Sequence, residues 1–226
     1  MLATYIWLTP PKNFFNIFEL IGIRMEGFLL GSLMPLVSTM ILFLGPIVMG
    51  LIDDYEFYFN LENLKSSFQS NIKDIYWWRA IIVAPISEEF VFRGCMCPLL
   101  YYAGIPLRSI IILAPLFFGV AHLHHFIKHL RQGTKFLKAL LISVFQLFYT
   151  TIFGSMATYY FLRTGHISGC ILTHMFCNLM GFPDIPSVPS HKYKIVIGIS
   201  YVLGIILFFL TLDILTLPSL TNTPYL

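Results

Sequence analysis

Charge is what this chain has least of. Only 11% of its 226 residues are Asp, Glu, Lys or Arg, while 57% are hydrophobic and 16% aromatic. A water-soluble domain carries about 25% charged residues, so too few are present to coat a surface that faces water. The formal net charge of +3 is small and no basic stripe accompanies it, which excludes nucleic acid as a partner. The four cysteines, Cys95, Cys97, Cys170 and Cys177, form no C-x-x-C pair or finger spacing, so a cysteine-built zinc site is excluded. They read as buried apolar thiols. The His-Glu-x-x-His helix of zinc proteases, the Gly-x-Ser-x-Gly elbow and a Gly-rich phosphate loop are all missing. The N-terminus has no n-region, h-region and cleavage-site series, so internal spans are expected to direct targeting. Neither an internal repeat nor a low-complexity tract is present, and no period-2 alternation supports a barrel.

What the chain has instead is long apolar runs. A membrane span needs about 20 mostly apolar residues. Gly27 to Ile52 contains no charge at all. Further apolar runs cover Tyr76–Tyr101, Leu107–Ile127, Leu140–Leu162, a shorter His166–Phe182, and Ile195–Leu217. Residues 53–74 are polar and acidic and read as a loop with room for a short surface helix. Lys128–Lys138 reads as a basic loop, and Phe14–Ile23, which contains Glu19, as an interfacial helix. The expected fold is all-α, a polytopic transmembrane helical bundle of about six spans, because lipid admits only helices or closed barrels. It divides into an N-terminal segment 1–26, a membrane domain 27–217 and a C-terminal tail 218–226. With six crossings, Lys65, Lys73, Arg79, Lys128, Arg131, Lys135, Lys138, Lys192 and Lys194 share one side, against Lys12, Arg24, Arg108 and Arg163 on the other. The side richer in basic residues is expected to be cytosolic, with both termini on the opposite side.

Some apolar runs contain residues that lipid does not accept. Glu88, Glu89 and Arg93 lie in the middle of one, at a cost of about 8–10 kcal/mol if all three met lipid at a helix centre. Flanking Ile, Phe, Leu and Val return only about 0.3–0.6 kcal/mol each, so this face must turn toward protein or a watery cavity. Glu89 and Arg93 are spaced i,i+4 and can pair. Glu88 is about 100° away around the helix and is the carboxylate left for chemistry, unless all three join one structural ion network. His122 follows the small residues Gly119 and Ala121, which let helices approach closely. His124, His125 and His129 read as interfacial side chains. His174 and Asn178, again i,i+4, share a face, as a functional pair or as interhelical polar glue.

Each group alone has a structural reading. Together, three spans bring a carboxylate, two imidazoles and an amide to similar depth. That set can activate water against an amide bond and hold the resulting oxyanion, with no serine or cysteine nucleophile. The same donors could ligate a metal, which keeps a metal-dependent protease as an alternative mechanism. A transporter also uses intramembrane Glu and His but calls for paired broken helices in two halves. Pro85 has no partner half. A non-catalytic scaffold of the same fold is the other alternative. It would not need all of these residues.

The order Glu88-Glu89-Phe90-Val91-Phe92-Arg93, Phe118-Gly119-Val120-Ala121-His122, His174-Met175-Phe176-Cys177-Asn178 resembles the CAAX protease and bacteriocin-processing family. The residues 39–46, 115–122 and 163–166 are similar to its eukaryotic CAAX prenyl protease branch, and the likeness runs from about residue 13 to residue 215. The resemblance implies a membrane-embedded glutamate protease of the endoplasmic reticulum that removes the aaX tripeptide after a prenylated cysteine. Glu88 and His122 would activate water, His174 and Asn178 would hold the oxyanion, and Glu89 and Arg93 would support them structurally. It implies neither cofactor nor metal. Partners would be farnesylated or geranylgeranylated CaaX proteins such as small GTPases, together with membrane lipid, and the site would open to the cytosol. Eukaryotic members of the family also carry further spans ahead of the region matched here. Elementary chemistry suits that substrate class. Each buried CH₂ of a lipid anchor contributes about 0.8 kcal/mol, so a prenylated C-terminus brings its scissile bond to the membrane surface.

Overall fold

A computed structural model describes residues 17–121 and 123–226. Among these residues all regular structure is helical. A short helix α1 (Ile17–Leu20) precedes α2 (Phe28–Leu42) and α3 (Leu44–Asp53). The charge-free run expected as one span is therefore two helices, bent by 69° at Phe43. The acidic segment after it carries two helices, α4 (Tyr55–Tyr58) and α5 (Leu61–Asn71). Asn60 caps α5 by accepting from the Glu62 N–H at 3.0 Å, the usual task of an N-cap side chain.

Residues 75–102 form one continuous but irregular helix. It runs as α6 (Ile75–Trp78), a π-helical stretch (Arg79–Val83), α7 (Ala84–Glu89), a second π-helical stretch (Phe90–Met96) and α8 (Cys97–Tyr102). Each widened stretch is followed within two residues by a proline, Pro85 and Pro98. A helical proline lacks an N–H and its ring collides with the carbonyl four residues back. Widening the preceding turn relieves that collision without ending the helix.

The remaining helices are α9 (Leu107–Ala121), α10 (His124–Arg131), α11 (Phe136–Thr164), α12 (Ile167–Met180) and α13 (Lys194–Leu215). The expected basic loop, Lys128–Lys138, is thus helical except at residues 132–135. Helix α11 ends on Gly165, whose φ of 66° is the left-handed conformation glycine adopts without strain. Helix α9 packs along α11, and α2 packs against both α12 and α13. The α9–α11 contact depends on a missing side chain. A Cβ at Gly119 would lie 2.6 Å from Leu147 Cδ1 and 2.8 Å from Thr151 Oγ1. Among the described residues, three stretches are long and apolar enough to cross a membrane, Leu107–Arg131, Phe136–Thr164 and Lys194–Leu215, or four if α2 and α3 count as one bent span. Apolar side chains along them point outward, among them Phe145, Phe148, Ile195 and Phe209. Such a belt is stable against lipid, not water.

The last residues fold back onto the bundle. Tyr225 is buried against Tyr101 and Phe161 and its hydroxyl donates to the Leu20 carbonyl. Arg24 donates to the carbonyls of Thr221, at 3.2 Å, and Asn222, at 2.8 Å. On another surface, the Tyr193 N–H donates to His191 Nδ1, so Nε2 carries the hydrogen and donates to Asp53 at 2.7 Å. This contact ties the end of α3 to the loop before α13.

Candidate active site

Four of the six residues singled out in sequence meet at the centre of the bundle. Glu89 and Arg93 pair as expected, Nη1 to Oε1 at 2.9 Å, with side-chain exposures of 0% and 1%. The second guanidinium nitrogen donates to the Gly154 carbonyl at 3.2 Å. The Arg93 guanidinium packs over the rings of Phe118, 5.0 Å from its centroid, and Phe153, at 5.8 Å. An arginine buried this deeply requires such partners, because an uncompensated charge in hydrocarbon is expensive.

Glu88 faces elsewhere, as helix spacing demands, and its side chain keeps 32% exposure. His174 joins the two glutamates. Its Nδ1 lies 2.7 Å from Glu89 Oε1 and its Nε2 lies 3.9 Å from Glu88 Oε2. A carboxylate already accepting from Arg93 accepts here too, so Nδ1 is the donor. In the neutral imidazole Nε2 then holds the lone pair on the Glu88 side. Glu89 thus orients a histidine as well as balancing an arginine, a second role that i,i+4 spacing does not reveal. Phe118 and Phe153 also touch the His174 ring, at centroid distances of 6.2 and 4.7 Å.

Glu88, His174 and Asn178 line one cavity of about 410 Å³, walled mainly by aromatic and aliphatic side chains such as Phe43, Phe118, Tyr149, Phe153 and Phe182. Gln146 and Thr150 add polar groups to the wall. Asn178 is fixed by a bond to the opposite helix, Nδ2 donating to the Ala80 carbonyl at 2.9 Å. His122 lies outside the described residues. Among the described residues no group of three His, Cys, Asp or Glu side chains is gathered to hold a metal. Glu88 and His174 are the pair that would begin such a set.

All four thiols are free. Cys97 donates to the Phe92 carbonyl at 3.2 Å and Cys170 to the Ala157 carbonyl at 3.3 Å. Cys177 lines the cavity, a placement its apolar sequence context does not announce. Gly154, Phe153, Gln146 and Thr150 also carry no sequence signal, since aromatic and small residues on a long apolar helix read as lipid-facing or packing positions. Phe118 does carry one, as the first letter of the Phe-x-x-x-His motif.

Comparison with known proteins identifies the family. The sequence profile of the type II CAAX prenyl endopeptidase, Rce1-like family matches residues 73–180, a range that contains Glu88, Glu89, Arg93, His174 and Asn178. CAAX prenyl protease 2 of Homo sapiens is 38% identical over 97% of this chain and 68% of its own length. The protein of the same name from Arabidopsis thaliana is 35% identical over 89% of this chain and 68% of its own length. CAAX prenyl protease 2 of Saccharomyces cerevisiae is 33% identical over 66% of this chain and 49% of its own length. No solved structure matches. With the motif carried intact through a buried ion pair and an open carboxylate, and with relatives matching along nearly its whole length, the chain belongs to the CAAX prenyl endopeptidase family of membrane proteases.

Proposed function

We propose that this chain removes the aaX tripeptide from prenylated CaaX proteins, cutting after the prenylated cysteine at the endoplasmic-reticulum membrane. The observation that carries this reading is the cavity in which Glu88, His174 and Asn178 meet an aromatic wall. The polar groups suit peptide hydrolysis and the wall suits an isoprenoid. Glu88, with His122, takes the proton from the attacking water. His174 and Asn178 donate to the oxygen that becomes negative in the tetrahedral intermediate. Donation from His174 requires hydrogens on both ring nitrogens, because Nδ1 is already committed to Glu89. Glu89 and Arg93 hold the geometry.

The bent α2–α3 pair, the helix of residues 75–102 and helix α12 would bring the crossings to six. The cavity would then open to the side rich in Lys128, Arg131, Lys135 and Lys138, the cytosol, where farnesylated or geranylgeranylated proteins such as small GTPases are presented. The test is release of the tripeptide from a farnesylated Cys-a-a-X peptide by purified protein in liposomes, with and without a chelator. Cleavage unaffected by chelation supports the reading. Loss on chelation with recovery on added metal favours a metal-dependent protease, and absence of cleavage favours a non-catalytic scaffold.

A further inference from the structure

The bond between Asn178 and Ala80 has an origin in the backbone. In an ordinary α-helix the Ala80 carbonyl would accept from the N–H of residue 84. Here the Ala84 N–H turns back five residues, to the Arg79 carbonyl. In that same register the donor for Ala80 would be the N–H of residue 85. Residue 85 is proline and has none. The Ala80 carbonyl is thereby left without a helical donor. Asn178 fills the vacancy through Nδ2 at 2.9 Å.

A carbonyl is only an acceptor, so it decides which way the Asn178 amide faces. The nitrogen must be on the Ala80 side and Oδ1 must point away. One N–H is spent on the backbone. The other remains on the same nitrogen, in a side chain that lines the cavity. We infer that Pro85 is a positioning residue: by leaving the Ala80 carbonyl unpaired, it fixes the Asn178 amide so that its second N–H is the oxyanion donor. This inference rests on the oxyanion reading of Asn178 given above. Any residue other than proline at position 85 would bring an N–H aimed at the same carbonyl and compete with Asn178 for it.

The experiment uses the full chain in liposomes and measures kcat and KM on a farnesylated Cys-a-a-X peptide, with thermal melting beside them. The variants are Pro85→Ala, Asn178→Ala, Asn178→Asp and the Pro85→Ala double variants with each. Asn178→Ala should lower kcat by roughly 10²–10³-fold. Pro85→Ala should lower kcat about tenfold or more with KM little changed, and should add nothing to Asn178→Ala, because both act on one donor. Asn178→Asp sets a carboxylate against the unpaired carbonyl and should lower the melting temperature, and Pro85→Ala should restore it by supplying the missing N–H. That rescue is readable even if Pro85→Ala alone folds poorly. Full kcat in Pro85→Ala beside an impaired Asn178→Ala, multiplicative losses in the double variant, or no rescue of Asn178→Asp would overturn the inference and leave the oxyanion reading standing. Wild-type turnover in Asn178→Ala would instead overturn the oxyanion reading itself.

Discussion

Replacing Arg93 with alanine should cost the protein its fold before it costs anything else. The guanidinium is 1% exposed and the Glu89 carboxylate beneath it 0%. Without Arg93 that carboxylate stays buried with His174 as its remaining partner. Removing one member of a buried pair costs about 3–5 kcal/mol. The Gly154 carbonyl also loses its donor, which adds about 1 kcal/mol. The sum, about 4–6 kcal/mol, is a large part of the 5–15 kcal/mol that holds a typical domain together. For a chain of this size it corresponds to a fall in melting temperature of about 10–20 °C. The assay is thermal unfolding of the purified variant in detergent, with expression yield measured alongside. An Arg93→Met, Glu89→Leu double variant removes both charges and should recover most of the lost stability. It should remain inactive, because His174 has then lost the acceptor that sets its orientation. If Arg93→Ala purifies at normal yield and melts normally but does not cleave, the structural role assigned to Arg93 is wrong.

Glu88→Gln should leave folding intact, since this side chain is partly open to the cavity, while tripeptide release falls by roughly 10²–10⁴-fold; near-normal turnover would show that another group takes the proton from water. A variant lacking Cys95, Cys97, Cys170 and Cys177 should still cleave, with some loss of stability where Cys97 and Cys170 no longer cap carbonyls. Activity lost through Cys177 alone, with the fold intact, would point to a role for the one thiol that lines the cavity. Gly119→Ala should destabilise the protein by about 1–3 kcal/mol, because the new methyl meets Leu147 and Thr151 at under 3 Å. An unchanged melting temperature would mean that α9 and α11 can separate freely.

The features legible in sequence were those fixed by local spacing. The Glu89–Arg93 pair, the diverging Glu88 and the shared face of His174 and Asn178 follow from helical geometry alone. So does the approach of helices at Gly119, because a missing side chain has only one packing consequence. The bend at Phe43 was not legible, since α2 and α3 together form one unbroken apolar run. The second role of Glu89 was hidden because its histidine lies 85 residues away. Phe153 and Gly154 were hidden too, since nothing on a long aromatic helix distinguishes the residue that meets an arginine from those that meet lipid. The tail was equally opaque. Polar residues 221–223 look like a surface segment until Arg24 is placed beneath them.

The widened turns of residues 79–83 and 90–96 bear on how this helix can change length. One residue more or fewer in an α-helix rotates everything beyond it by about 100°. A single deletion between Gly94 and Met96 could be absorbed by tightening that stretch into ordinary helix, and the chain would remain continuous. Because a π-helical turn carries about one residue more than an α-helical turn, the tightened stretch would keep the Glu88 and Glu89 faces in register with α8. Substitutions along this helix test one contact at a time, whereas a one-residue insertion or deletion outside the widened turns exchanges the lipid face for the cavity face. The segment should therefore tolerate a change of length only at its widened turns, residues 79–83 and 90–96.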